Sequence, residues 1–354
     1  MKKKRQAPRP EPHKTEKHQL SPEVEMADRT METFTVTYPA RMPTEEQIQL
    51  GALTAVQRKL VNDSELIKSP FNPTRADVGE LDQRVCITPP EAWYSMKKYV
   101  NFVIQGETYT SDQVVFVRSD QTPPEDAKPD AKTFWVAKIL QVRAASPQHV
   151  YALISWLYWP EELPPPAKRS SDQVSPKGGK RKYHGAQELV ASNYLDILDV
   201  LTFAGKADVV EWDEAGDYIP AGERKYYWRQ TFCRQTQALS KIREHCVCLG
   251  PCTPEIQMYI CDNPDCKLWL HKICMLEYTL SEALKNLDPE VDTDSGILKK
   301  NHRANKPLYS GILAGKIEDK DNDPPKIIIH DLRREHKKSW QEWLKCPACK
   351  TKIE

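Results

Sequence analysis

The sequence has almost no net charge. Its 51 Lys and Arg and 50 Asp and Glu leave +1 over 354 residues. A chain-wide basic balance of the kind that grips nucleic acid unaided is therefore excluded, and any basic surface must be local. Long apolar runs are also missing. The longest, Val150 to Trp159, is ten residues, too short to span a bilayer. The opening Met-Lys-Lys-Lys-Arg-Gln-Ala-Pro runs on into polar residues with no apolar segment, so no secretory signal is read there. No glycine-rich phosphate cradle and no paired nucleophile and base stand out, so nothing catalytic is expected. A soluble, intracellular and reducing setting is the expectation from these absences.

Cysteine is plentiful, at ten residues, and in a reducing setting such cysteines read as metal ligands before they read as disulfides. They form a series: Cys246-x-Cys248, Cys261-x4-Cys266, His271-x2-Cys274 and Cys346-x2-Cys349. Zinc takes four soft or borderline ligands in a tetrahedron, so these eight positions imply two structural zinc ions. Cys252 competes for the first pair, because Cys248-x3-Cys252 is also a feasible turn. Cys86 and Cys233 read as ordinary buried thiols.

The rest of the chain divides by composition. Residues 1–90 read as a largely disordered tail, rich in Pro and charge. One amphipathic helix is expected within it, over Glu45 to Leu60, with Leu50, Leu53, Val56 and Leu60 on one side. The tail's first residues are basic (Lys2, Lys3, Lys4, Arg5, Arg9, Lys14), which suits either nuclear import, a weak nucleic-acid contact or a solvated tail. From about 93 to 235 the pattern changes to short strands: Tyr99–Ile104, Gln113–Arg118, Phe134–Val142, Val150–Trp159, Glu188–Ala191, Ile197–Phe203 and Tyr226–Phe232. Without βαβ alternation, these predict a mainly β domain, a partly open barrel or sandwich. Pro164 to Lys182 reads as a mobile loop. A short helix is expected over Ala238–Arg243 as a link to the cysteine series. Seventy-one residues separate Cys274 from Cys346. Within them Leu308–Lys316 and Lys326–Asp331 are expected to pair as a hairpin, and Leu332–Leu344 to form a helix.

Four cysteines precede the histidine, whereas in a RING-type module the histidine follows three. Together with Tyr259-Ile-Cys-Asp-Asn-Pro-Asp-Cys-Lys-Leu-Trp-Leu-His-Lys-Ile-Cys274, this order resembles a PHD finger, over 244–350 with an insertion at about 281–340. The resemblance implies a cross-brace: Cys246, Cys248, His271 and Cys274 on one zinc, and Cys261, Cys266, Cys346 and Cys349 on the other. It favours Cys246 over Cys252. It also implies a finger that sits on a histone H3 tail, with Trp269 at the position of a cage tryptophan and Met258 and Tyr259 on the neighbouring strand. Glu255 stands almost alone as an acidic residue there. A finger that only packs on its neighbour is the other reading.

Upstream, Trp156-Leu-Tyr-Trp-Pro-Glu-Glu162, Tyr183-His-Gly-Ala-Gln-Glu-Leu189 and Ala191-Ser-Asn-Tyr-Leu-Asp196 are similar to the bromo-adjacent homology (BAH) domain. Strand alternation points Trp156 and Tyr158 to one side, and Trp135 lies on the strand expected to pair with theirs. Spacing alone suits a packed core as well as a site. The resemblance implies a methyl-lysine cage of Trp135, Trp156 and Tyr158, with His184 and Asp196 near the bound peptide; the charge of Glu161 and Glu162 at the strand end suits either a basic histone tail or plain solvation. BAH followed by PHD resembles the BAH–PHD chromatin readers of plants and of fungal Polycomb repression. That implies a nuclear, non-enzymatic reader of trimethylated lysine 27 of histone H3, with silencing co-factors as further partners. A contact with nucleosomal DNA through Lys177, Lys180, Arg181 and Lys182 is a further expectation. A different methylated histone lysine, a pure interaction scaffold and a RING-like ligase are the alternatives.

Overall fold

The computed structural model describes residues 32–39, 42–71, 81–119, 122, 130–165, 179–214, 226–287, 307–320, 323–333 and 338–354. The basic start of the chain, Lys177 and most of the expected loop at 164–182 lie outside them. The fold is mainly β, as expected. The chain divides into two compact units, the first drawn from residues before 73, from 80–157 and from 192–208, the second chiefly from 158–191 and 209–354.

In the first unit, β1 (Thr35–Thr37), β2 (Glu65–Ile67) and β3 (Gln83–Thr88) form a small sheet in the order β1-β3-β2. Two helices, α1 (Glu45–Gln49) and α2 (Ala55–Asn62), stand between β1 and β2, and α3 (Pro90–Ser95) follows β3. The main strands are β4 (Lys97–Tyr99), β5 (Asn101–Ile104), β6 (Glu107–Thr110), β7 (Val114–Val117), β8 (Trp135–Ser146), β9 (His149–Tyr158), β10 (Glu188–Asp199) and β11 (Phe203–Lys206). They pair in the order β11-β7-β8-β9-β10, with β4 on β8 and β5 against β6.

Strand β9 explains much of this unit. Its apolar run is uninterrupted because both of its faces are covered. Val150, Ala152 and Ile154 pack with Ile139, Val142, Phe102, Tyr109 and Phe203. Tyr151 and Leu153 face the other way, onto Phe34, Val85, Ile87, Trp93 and Met96. That second layer comes from residues 34–96. The described part of the stretch expected to be disordered is thus folded, because without it Tyr151 and Leu153 would stand in water. Arg143 is buried there, donating to the carbonyls of Trp93 (3.3 Å) and Met96 (3.2 Å) and so closing the end of α3.

The expected helix at Glu45–Leu60 is two helices. Gly51 adopts φ +65° between them, a conformation that costs glycine least. Thr44 and Thr54 each start a helix with a reciprocal capping box to Gln47 and Gln57. Leu50 and Val56 are exposed, so the predicted apolar side is not buried.

The second unit holds β12 (Val209–Glu211), β13 (Tyr226–Cys233), β14 (Ala238–Leu239), β15 (Glu244–His245), β16 (Gly250–Pro251), β17 (Met258–Ile260), β18 (Trp269–His271), α4 (Lys272–Leu287), β19 (Leu313–Lys320), β20 (Asp323–Asp331) and β21 (Ser339–Trp343). Two expected helices are strands instead. Ala238–Leu239 pairs with Phe232–Cys233, and Ser339–Trp343 pairs with Lys326–His330. The expected hairpin forms as β19 and β20, with Leu313 opposite Asp331. α4 was not read from the sequence. Its inner side, Met275, Leu280, Ala283 and Leu284, packs on Ile317, Ile327 and Ile329, and the same core takes in Cys246, Cys261, Cys274 and Cys346. The described residues between Cys274 and Cys346 are therefore part of the finger's core rather than an excursion from it.

Ile329 is fully buried at the middle of that core. Ile329→Ala is expected to destabilise the second unit by about 2–5 kcal/mol, through lost burial and a residual cavity. Urea unfolding followed by tryptophan fluorescence measures it.

Candidate functional site

Two clusters of ligand atoms form in the second unit. Cys246, Cys248, His271 and Cys274 make one and Cys261, Cys266, Cys346 and Cys349 the other, with the ligand atoms of each within 4.8 Å of one another. Each group could hold a metal ion. Tight turns bring the sulfurs together, and several need positive φ: Cys246 (65°), Leu249 (54°), Lys267 (42°) and Lys350 (64°). The His271 ring has Nδ1 3.3 Å from Cys248 Sγ, while Nε2 lies 3.0 Å from the Pro251 carbonyl. An Nε2–H donor to that carbonyl leaves Nδ1 as the free lone pair among the sulfurs. In the second group Cys261 and Cys349 sulfurs are 3.4 Å apart, and Cys266 and Cys346 sulfurs 3.8 Å. Gly250 lies tight against the first: a Cβ there would lie 3.1 Å from Cys248 Sγ and 3.3 Å from the His271 ring.

Cys252 belongs to neither group. It is buried beside Trp212 and Tyr227, where burial pushes its thiol up to about 11. Its carbonyl accepts from Arg229 (3.0 Å). Arg229 is the hub of a buried network that the sequence reading missed. Its Nε and Nη2 donate to the two carboxylate oxygens of Glu188 at 2.9 and 3.1 Å. Nη1 donates to Glu214 (2.7 Å), and Nη2 also to the Tyr183 carbonyl (2.8 Å). All five guanidinium N–H groups are thus supplied with acceptors. Burial works against the charged form, but Glu188 and Glu214 outweigh it and hold the guanidinium protonated more firmly than usual. For Glu214 burial raises the carboxyl, and contacts from His245 and Arg229 reverse that, leaving it below its ordinary value.

This network explains the word His-Gly-Ala-x-Glu-Leu. Glu188 also accepts from the Gly185 N–H (2.8 Å). Any Cβ on Gly185 would collide with the Tyr227 hydroxyl. Glu255, expected to face a peptide, instead accepts from the Ala186 N–H at 2.5 Å. His184 is 3% exposed and both ring nitrogens are engaged, Nδ1 by the Arg181 N–H and Nε2 with Gln230 Oε1 (3.1 Å). It has no free group for a peptide. Burial lowers its pKa, so the ring stays neutral. Glu161 pairs with Lys180 at 3.1 Å.

The first unit contains the aromatic pair. Ala137 lies opposite Trp156, which puts Trp135 and Trp156 on one side of β8 and β9. Their rings meet edge to face, with centroids 5.7 Å apart at 82°, and Trp135 is 45% exposed. An exposed tryptophan costs solvation that a core position would recover, so this pair is open to a ligand. Asp196, read as a peptide contact, lies beside Trp156, and its carboxylate accepts from the Ile197 N–H (2.8 Å). Burial nevertheless raises its carboxyl above the usual range. Tyr158, in the second unit, packs on Phe232 with centroids 6.4 Å apart. Trp269 pairs with Ile260 across β17–β18 and lies 6.0 Å from the His245 ring. Tyr259 is buried and donates to Asp319 (2.7 Å), and Met258 packs beside Tyr227, so neither completes a cage with Trp269.

No family model matches the chain. Two proteins of Arabidopsis thaliana are similar to it. The chromatin remodeling protein EBS is 29% identical over 164 residues, 46% of this chain and 62% of that protein. The chromatin remodeling protein SHL is 26% identical over 191 residues, 53% and 71% of the respective chains. The chain therefore spans less than two thirds of the first relative's length. Among solved structures, the yeast Rsc2 BAH domain matches at 15% identity with a TM-score of 0.30, covering 44% of this chain and 58% of that one. The order and grouping of the eight cysteine and histidine ligands fit a PHD finger.

Arg229→Leu would strand two buried carboxylates. It is expected to destabilise the second unit by roughly 3–5 kcal/mol, read as a shift of the urea midpoint, whereas Lys180→Ala at the half-exposed pair with Glu161 should change it by about 1 kcal/mol or less.

Proposed function

We propose that this relative of two plant chromatin remodeling proteins is a nuclear, non-enzymatic reader of trimethyl-lysine on a histone tail, acting in Polycomb-type silencing. The Trp135–Trp156 pair carries this reading. A trimethyl-lysine has a full charge and no N–H to donate, so water solvates it poorly and an aromatic face attracts it, at about 0.5–2 kcal/mol per ring. Trp156 packs against the strand core, which orders the ring before the ligand arrives and spares that cost. Tyr158 enters as a third ring by resemblance alone. The favoured ligand is lysine 27 of histone H3, also by resemblance. With His184 buried and Asp196 partly buried, the choice among histone lysines falls to other contacts, and lysine 20 of histone H4 is the runner-up.

The test is binding of the full chain to histone peptides by fluorescence anisotropy. Trimethylated lysine 27 peptide is expected to bind more tightly than unmodified peptide. Trp156→Ala should weaken it about two- to thirtyfold. Asp196→Ala should weaken it by less, since both rings stay. Binding only of a peptide trimethylated at lysine 4, lost in Trp269→Ala, would move the reading to the finger. Binding of none would favour an interaction scaffold.

Both ligand groups are read as zinc sites. Three thiol sulfurs with one imidazole, and four thiol sulfurs, are the donor sets of structural zinc, which closes its coordination shell and organises the turns around it. Metal analysis of purified protein should give two zinc ions per chain. A strong chelator is expected to lower the unfolding temperature of the second unit, because the ligands lie in its core. Cys346→Ala should hold one ion.

A further inference from the structure

The second unit has a sheet face that the histone-reading proposal does not use. One side of β19–β20–β21 faces α4 and the metal groups through Ile317, Ile327 and Ile329. On the other side Lys316 lies opposite Ile328, Lys326 lies between Glu318 and Trp343, and His330 lies opposite Ser339. Beyond β21, Lys345 and Lys352 stand directly opposite each other. Trp343 is 40% exposed, and two ammonium groups rest on its ring, Lys326 at 4.4 Å and Lys352 at 3.8 Å from the centroid.

This arrangement is costly without a ligand. Like charges set directly opposite each other on a sheet repel. Lys345 and Lys352 do so, and Lys326 is drawn to the same ring from the strand on the other side. Among the described residues none of Lys316, Lys326, Lys345 and Lys352 is in an ion pair, and Glu318 is the carboxylate sharing their side. Glu342 points to the other side, where it accepts from Trp340 (2.8 Å). The chain as a whole is close to neutral, so the concentration of unpaired lysines here is local.

We infer that this face binds the phosphate backbone of duplex DNA. Charge complementarity identifies the partner: a duplex offers a continuous line of negative charge to a lysine-bearing sheet, and neutralising its phosphates releases condensed counterions. Trp343 acts as a rigid support that holds two ammonium groups together for one stretch of backbone. The lysines would contact phosphates rather than base edges, so binding is independent of sequence. The inference does not depend on the Trp135–Trp156 pair, which belongs to the first unit.

The experiment uses the full chain and a fluorescein-labelled DNA duplex, titrated at several salt concentrations. The native chain should bind with an affinity that falls steeply with salt. Lys326→Gln, Lys345→Gln and Lys352→Gln combined should weaken binding about tenfold or more at low salt, and lower the salt slope by about 0.9 for each phosphate no longer neutralised. A chain with Lys2, Lys3, Lys4 and Arg5 changed to Gln should keep most of its affinity, and Trp156→Ala all of it. An unchanged thermal midpoint verifies that the triple variant is folded; if it is not, Lys316→Gln with Lys326→Gln is the variant to read. Native-like DNA binding by the folded variant, loss confined to the N-terminal variant, or binding of an acidic peptide in place of DNA would each overturn the inference.

Discussion

The second unit depends on one buried cation. Arg229 lies in a strand whose other members are aromatic or neutral, and it reaches Glu188, Glu214, the Tyr183 carbonyl and the Cys252 carbonyl at once. Removing a guanidinium from water is expensive, and the expense is offset only where every N–H finds an acceptor. The network therefore tolerates one arrangement of the segments that supply those acceptors. Cys252 lies just past the first cysteine turn and Glu188 starts a sheet strand, so a single side chain sets that turn against β13 and the start of β10. Apolar packing of Trp212, Tyr227 and Cys252 around it adds burial but no comparable directionality.

What the sequence discloses about the site depends on how local the chemistry is. The eight cysteine and histidine positions were legible because each pair lies close in sequence, and the structure groups all eight as the resemblance to a PHD finger implied. The aromatic pair was legible from strand alternation plus one hairpin. Arg229 was not, since a charged residue in a strand reads as exposed until its partners are known. Two residues signalled it in retrospect: a lone arginine in Tyr226–Phe232 and a glutamate in the His-Gly-Ala-x-Glu-Leu word. His184 and Asp196 lie in words that suggest a peptide site, but the one is buried and the other is partly buried beside Trp156.

Secondary structure failed where pairing overrides local preference. Leu332–Leu344 has apolar residues at helical spacing, yet Trp340 meets Ile329 and Trp343 meets Lys326 across a ladder. The start of the 238–243 stretch goes to β13 for the same reason. The first ninety residues looked too polar to fold alone, and those described do not need to: they supply one thin layer over a strand already covered on its other side. A layer of that kind has no apolar run of its own to betray it.

The separation between Cys266 and Cys346 has a consequence for the order in which the molecule assembles. Cys246, Cys248, His271 and Cys274 all emerge within a short stretch of synthesis, so their cluster can close while the rest of the chain is still being made. Cys261 and Cys266 must wait, with two thiols only, until α4 and all three strands of the following sheet have left the ribosome. The second cluster is therefore the last part of the finger to lock. Because Cys346 is buried among the residues of that sheet, its closure requires the three strands to be in place.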